Sequence, residues 1–345
     1  MKQTAIVILN WNGKKLLEQF LPSVLQHTPE DEADIIVADN GSTDDSILFL
    51  RTHYPSVVIH ALDRNYGFAE GYNRALAGLD YNYAVLLNSD VEVSPDWFRL
   101  AIDYLDTHLY VSALQPKILS YHRPTEFEYA GACGGFLDRH GYPFCRGRIL
   151  NTIEIDAGQY DQPIPIFWAS GACLFIRLQD FKQAGGLDAR FFAHQEEIDL
   201  CWRLNARGKQ IVCLPQSVVY HVGGATLEKN NPQKNYLNFR NNLLMLYKNM
   251  PNPYYSQVMR SRFLLDCLSA VHCLLKGQWA NAFAICKARR DFWRMKAQYR
   301  TVRQENLEKI RIAIIPDILL PQSLIWGYYF KGKKKFSQYA KRTIR

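Results

Sequence analysis

The 345-residue chain is 48% hydrophobic and 13% aromatic, enough apolar side chain to bury one large core or two modest ones, which excludes a disordered or fibrous protein. Its formal charge of +8 hides an asymmetry: residues 1–221 carry 18 Lys and Arg against 27 Asp and Glu, whereas residues 222–345 carry 23 against 6. An acidic body and a strongly basic tail face different partners.

Met1 leads straight into the strand-like Ala5–Leu9 with no basic leader or apolar signal core, which predicts a cytoplasmic chain. The longest apolar stretch, Phe263 to Leu275, is interrupted by Asp266 and His272 and is too short to cross a bilayer. The eight cysteines show no Cys-x-x-Cys pair and no metal-ligand spacing, and read as reduced thiols packed as small hydrophobes.

The first part of the chain alternates strand and helix with short connections. Strands are expected at Ala5–Leu9, Asp34–Ala38, Val57–Leu62 and Tyr83–Leu87, and helices near Lys14–Gln26, Asp44–His53, Phe68–Leu79 and Pro95–Leu105. That order predicts a doubly wound α/β sheet, mostly parallel. Each strand exit is polar: Asn10-Trp11-Asn12-Gly13, then Asp39-Asn40-Gly41-Ser42, then Asp63-Arg64-Asn65-Tyr66-Gly67, then Asn88-Ser89-Asp90. In such sheets ligands sit outside the carboxyl ends of the strands, so all four exits are expected to line one crevice. Ser94 is read as an N-cap and Pro95 as the first residue of the helix that follows.

Neither a Gly-x-Gly-x-x-Gly turn after the first strand nor a Gly-x-x-x-x-Gly-Lys-Ser/Thr loop is present, which removes the phosphate cradles of dinucleotide enzymes and P-loop proteins. A carboxylate such as Asp39 can instead accept from the imide N–H of uracil or thymine, or from the N–H edge of guanine. Asp90 with Mg²⁺ or Mn²⁺ can neutralise a diphosphate, because hard oxygen ligands suit those ions. Gly67, Gly71 and Asn73 fit a close backbone approach at a helix start. For each of these residues a turn or capping role is the competing reading.

The stretch from Leu114 to Pro165, rich in Gly and Pro, is read as irregular hairpins that shape a substrate pocket. Phe167–Ile176 is expected as a strand whose Ser170-Gly171-Ala172 permits close approach, followed by a helix over Leu178–Ala184. Next comes Phe191-Phe-Ala-His-Gln-Glu-Glu-Ile-Asp-Leu-Cys-Trp-Arg203. Glu196, Asp199 and Arg203 fall on one helical face and Glu197 on another. Ordinary capping by acids at a helix start competes with a general-base role for Glu197 among Phe191, Phe192 and Trp202. Strands at Gln210–Leu214 and Val218–Tyr220 bring His221 to a further strand end, where it is a candidate metal ligand beside Asp90.

Seven stretches in this order resemble glycosyltransferase family 2, inverting nucleotide-sugar transferases of the GT-A fold, and most closely its bacterial rhamnosyltransferase-type members. They are Val7–Gly13, Val37–Asp44, Asn65–Asn73, Leu86–Val91, Ser170–Cys173, Glu196–Arg203 and His221, within about residues 4–250. The resemblance implies that Asp39 contacts the base, within a nucleotide-sugar set of Asn10, Asp39, Asn65, Gly67, Asn73, Asn88, Ser89 and Gly171. It also implies that Asp90 and His221 hold a divalent metal and that Glu197 or its neighbour Glu196 takes the acceptor proton. Two positions depart from the family pattern: Asn88 replaces the first acid of Asp-x-Asp, and Glu197 stands where Asp is usual. The implied donor is a dTDP-, UDP- or GDP-sugar and the implied acceptor a saccharide or a polyprenyl-diphosphate-linked glycan. One sugar moves per encounter, since Gln-x-x-Arg-Trp and spanning helices are absent.

Residues 1–224 are assigned to the catalytic domain and 225–345 to a helical, basic extension with helices at Asn235–Asn249, Ser256–Lys276 and Trp279–Arg303. Cations interleaved with Phe292, Trp293 and Tyr299, and Lys331–Lys335 after Trp326, Tyr328, Tyr329 and Phe330, suit an anionic membrane surface on the cytoplasmic face of the inner membrane. A solvated basic face is the competing reading. A nucleic-acid-binding tail leaves the rim acids unexplained, so no nucleic acid is expected, and a catalytically silent nucleotide-sugar-binding relative is the alternative that Asn88 leaves open.

Overall fold

The computed structural model describes residues 2–223, 231–312 and 319–339; the expected boundary at 224/225 lies outside the described residues. In chain order the elements begin β1 (Thr4–Asn10), α1 (Lys14–Gln26), β2 (Ala33–Asp39), α2 (Ser46–His53), β3 (Val58–Ala61), α3 (Gly67–Leu76), β4 (Tyr83–Asn88), β5 (Val91–Val93) and α4 (Trp97–Thr107). β6 (Val111–Ser120) precedes the short strands β7 (Gly135–Asp138), β8 (Pro143–Cys145), β9 (Arg148–Ile149), β10 (Thr152–Ile153) and β11 (Ile164–Pro165). β12 (Cys173–Arg177), α5 (Leu178–Ala184), α6 (Glu196–Ala206) and β13 (Gln210–His221) complete the α/β body. The tail holds α7 (Pro232–Asn249), α8 (Tyr254–Leu275), α9 (Trp279–Met295), α10 (Arg300–Glu308), β14 (Leu319–Leu320) and a last helix, α11 (Leu324–Phe330).

The main sheet runs β11-β13-β6-β12-β4-β1-β2-β3, with β5 added alongside β13. β3, β2, β1 and β4 are mutually parallel, and β12 enters antiparallel between β4 and β6. Alternation along the strands feeds two apolar layers. Val85 and Leu87 of β4 join Ile6 and Ile8 of β1 and Leu17, Leu21 and Val24 of α1 on one face. Ala84 and Leu86 join Ala5, Val7, Tyr72 and Ile198 on the other. Each such Leu or Ile side chain stabilises the fold by roughly 1.5–3 kcal/mol on burial. Strands covered on both faces read as continuous apolar runs, which is why β1, β2 and β4 were legible.

Several local expectations change. Ser94 does not cap a helix: its hydroxyl donates to the Val218 carbonyl at 2.7 Å, α4 starts two residues after Pro95, and Asp96 in the left-handed region precedes it. Residues 91–93 pair as β5 with β13, a contact that local propensity does not encode. The strands expected at Gln210–Leu214 and Val218–Tyr220 form one strand, bulged between Leu214 and Val218. The middle region contributes β6 to the main sheet, beside the expected short hairpins, and Phe167–Ala172 lies ahead of β12 as irregular chain.

The tail packs on the body. β14 extends the second sheet, β10-β9-β8-β7-β14, by pairing parallel with β7. Leu243 to Leu246, Phe292, Leu324, Phe336 and Tyr339 share the apolar cluster of Leu86 and Ile198. The expected Trp279–Arg303 helix is broken by a 3₁₀ turn at Lys296–Tyr299. Among the described residues no helix is long and apolar enough to cross a membrane.

Candidate active site

The exits of β1 and β2 are stitched together. Asn10 Nδ2 donates to Asp39 Oδ2 at 2.9 Å, and the Ser42 amide donates to Asp39 Oδ1 at 2.9 Å. Asn12 Oδ1 accepts from the Thr43 amide at 2.7 Å, and the Lys14 amide donates to Asp44 Oδ2. A Cβ on Gly13 would lie 2.4 Å from Asn10 Oδ1, so any larger residue here must displace the Asn10 side chain. Asp39 is thus a buried carboxylate held in a fixed orientation, and Trp11, half exposed, stands on the same rim. Asn65 Oδ1 accepts from the Gly67 amide and from Asn40 Nδ2, closing the turn after β3.

The second cluster is made by register. In the β5–β13 pair His221 lies opposite Val91, which sets His221 Nε2 3.1 Å from Asp90 Oδ1. The amide nitrogen of Asn88 stands 3.3 Å from the same Nε2. Glu128, buried in the region between β6 and β7, lies 3.6 Å from His221 Nδ1, and its other oxygen accepts from the Ala130 amide. Burial by itself pushes the Asp90 pKa up, but the bond from His221 outweighs it and holds the carboxyl below its usual range. Burial likewise disfavours a charged His221, yet Asp90 and Glu128 hold the imidazole pKa up at about 10. Glu128 was not anticipated: the sequence around it, Tyr129-Ala130-Gly131, carries no spacing that points to His221.

The third cluster opens α6. Phe192, His194 and Gln195 all have positive φ, at 66°, 71° and 73°, in a run of non-glycine backbone held from outside. Asn241 Nδ2 donates to the carbonyls of Phe191, Ala193 and His194 at 3.0, 2.9 and 2.8 Å. This clamp delivers Glu196, which is buried, and Glu197, which is partly exposed, to the start of α6; one carboxyl oxygen of each has no hydrogen-bond partner. Burial raises the Glu197 pKa to about 7 against the opposing backbone N–H bonds, and burial followed by the Glu197 charge raises that of Glu196 well above the carboxylate range. Burial raises the Cys145 thiol pKa, and the charges of Glu128 and Glu197 add to that rise.

Other expected residues serve the frame. Asp199 and Arg203 leave the pocket for a buried network: Asp199 accepts from Arg203, Lys248 and Asn249, and Arg203 donates to the Ala184 and Gly186 carbonyls. Asn73 uses both ends of its amide on the Leu187 backbone. The close approach that Gly67 permits is made by Phe192, whose carbonyl accepts from the Phe68 and Ala69 amides at the α3 N-terminus. A Cβ on Gly171 would meet the Phe68 ring at 2.9 Å. Ser89 lies near Gly13 on the rim.

A family model for Glycosyl transferase family 2 matches residues 5–151. The chain is 27% identical over 230 residues to the N-acetylglucosaminyl-diphospho-decaprenol L-rhamnosyltransferase of Mycobacterium tuberculosis (strain ATCC 25618 / H37Rv), covering 63% of this chain and 75% of that protein. It is 25% identical over 221 residues to Rhamnosyltransferase WbbL of Escherichia coli (strain K12), covering 60% and 77%. Among solved structures it is similar to GalNAc-T7 with UDP, GalNAc and Mn²⁺, at TM-score 0.60 and 14% identity, over 76% of this chain but half the length of that one. The ordered rim motifs, the GT-A sheet and these likenesses agree on a rhamnosyltransferase-like glycosyltransferase, with residues 5–151 matching the family 2 model.

Proposed function

We propose that this enzyme transfers one sugar, with inversion at the anomeric carbon, from a dTDP-, UDP- or GDP-sugar to a saccharide or polyprenyl-diphosphate-linked acceptor. The observation that carries the reading is the convergence of Asp90, His221 and Asn88 within 3.3 Å at the same sheet edge as Asp39. A carboxylate oxygen, an imidazole nitrogen and an amide suit Mg²⁺ or Mn²⁺. Nε2 cannot both donate a proton to Asp90 and accept one from Asn88 Nδ2, and a cation among the three relieves that conflict. Among the described residues no group of three or more His, Cys, Asp or Glu that could hold a metal ion is present. Asp90 and His221 would hold the ion, with Glu128 orienting the imidazole from behind. Once bound, the ion supplies positive charge against the departing nucleoside diphosphate.

Asp39, fixed by Asn10 and Ser42, accepts from the base N–H. Glu197, with its pKa near neutrality, removes the proton from the acceptor hydroxyl as that oxygen attacks the anomeric carbon. Glu196 beside it is pushed up as well, first by burial and then by the Glu197 charge. The relative from M. tuberculosis is named for a decaprenol-diphosphate-linked acceptor, which supports a lipid-linked acceptor here and a working position at an anionic membrane surface for the basic tail. Calorimetric titration with UDP, dTDP, GDP and ADP, with and without Mn²⁺, tests the reading. Metal-dependent binding of one of the first three is expected; binding of none by folded protein overturns it.

A further inference from the structure

We propose that the hairpin of α8 and α9 is a membrane-docking element that inserts its tip into an anionic phospholipid surface, an inference that rests on the membrane-associated reading above and gives it a defined structural site.

The inward line of α8 is Val258, Arg262, Asp266 and Ala270. Its charges are settled internally, because both Arg262 and Arg289 bond to Asp266. The outward side is apolar: Leu264, Leu268, Val271 and Leu275 follow one another at helical spacings of four, three and four, and are 64%, 64%, 50% and 83% exposed. Phe263 flanks them at 53%. Past the turn at Lys276–Gln278, Trp279 and Phe283 continue the apolar surface on α9 at 61% and 70% exposed. Singly scattered apolar side chains are normal on a soluble surface, but a continuous band of this kind marks an interaction site.

Charge selects the occupant. Between residues 254 and 291 the acids are Asp266, which is buried, and Asp291, which pairs with Arg290, whereas Arg260, Lys276 and Lys287 are further exposed cations. Such a face repels a second copy of itself and attracts anionic headgroups. On α9 the order along one face is Trp279, Phe283, Lys287, Arg290, so the apolar residues lie toward the hairpin turn and the cations behind them. From Phe283 to Lys287 the helix rises about 6 Å, close to the depth at which an interfacial helix buries its apolar side below the headgroups. α9 packs on α7, and α7 supplies the Asn241 clamp ahead of Glu196. A single helix therefore separates the docking element from the segment that carries the proposed base, which suits an acceptor that stays in the bilayer.

Vesicle flotation of the full chain tests the proposal, comparing phosphatidylcholine vesicles with vesicles that also contain phosphatidylglycerol. The protein is expected to float only with the anionic vesicles. The surface variants Leu268→Ser/Leu275→Ser/Phe283→Ser and Lys287→Glu/Arg290→Glu are each expected to weaken binding by at least about thirtyfold, with unchanged melting temperature. Failure of the wild type to float with anionic vesicles overturns the proposal, as does undiminished flotation of the triple variant. A concentration-dependent dimer that the triple variant abolishes, without vesicle binding, also overturns it in favour of self-association. Calorimetric nucleotide binding separates the two readings: retained nucleotide binding without flotation removes the docking element alone, whereas flotation without nucleotide binding supports the docking element and removes the proposed transferase site.

Discussion

Asp90 and His221, 131 residues apart, meet at 3.1 Å because β5 pairs antiparallel with β13 in a register that sets His221 opposite Val91. A one-residue slip would turn His221 to the other face of the sheet. The pair, with Asn88 beside it, is the proposed cation site.

Asp90→Asn and His221→Ala are therefore expected to abolish metal-dependent nucleotide binding and to lower kcat/KM about 100-fold or more, while the apo protein keeps its fold. Calorimetry with and without Mn²⁺, alongside circular dichroism, checks this. Nucleotide affinity that is equal in wild type and variants at every Mn²⁺ concentration would refute it.

Glu197→Gln is expected to reduce kcat by about a thousandfold and leave nucleotide affinity unchanged; Glu196→Gln should cost less. The base works in its ionised form and its pKa is raised to about 7, so activity should fall as pH drops through about 7 and level off above it. A flat pH–rate profile between pH 5 and 8, conditions chosen to bracket that value, would count against Glu197.

Glu128 lies 3.6 Å from His221 Nδ1, behind the proposed cation site. Glu128→Gln is expected to weaken metal affinity by about 10–100-fold with little change in thermal stability. A direct Mn²⁺ titration followed by electron paramagnetic resonance reads this without reference to turnover, and an unchanged affinity would make Glu128 a purely structural residue.

Lys248 bridges Asp188 at 2.7 Å and Asp199 at 2.8 Å, all three buried. Lys248→Met should destabilise the fold by about 3–5 kcal/mol in denaturant titrations, because it leaves two buried carboxylates without that cation. Burial alone would raise the Asp188 pKa, but Lys248 and Arg190 bring it down to about 2. Its contribution of roughly 2 kcal/mol is present above the unfolded carboxylate pKa near 4 and is lost as pH falls from there toward 2. Stability that does not change over that window would contradict the network.

Gly67 has φ of +76°, and a Cβ there would stand 2.5 Å from the Phe192 ring. Gly67→Ala is expected to cost at least about 1–3 kcal/mol and to lower kcat by displacing the segment that leads to Glu196 and Glu197. A melting temperature and kcat equal to wild type would show that Phe192 moves aside freely.

Local pattern shows the alternation of strands and helices through β4 and the polar strand exits, and it offers Asp39, Asp90, Glu197 and His221 as candidates. Those follow from local periodicity and from the abrupt change between an apolar strand and a polar turn, which need no knowledge of partners. Tertiary structure alone decided which polar groups face one another. Gly67, Asn73 and Gly171 looked like ligand contacts, yet their close neighbours are Phe192, Leu187 and Phe68, because α3 docks on the segment before α6. Ser94 looked like a cap and instead bonds β13; Glu128 showed no signal and lies behind His221. Local pattern sets what an element is, whereas register and packing across more than a hundred residues set what its side chains meet, and a catalytic pocket is made of those meetings.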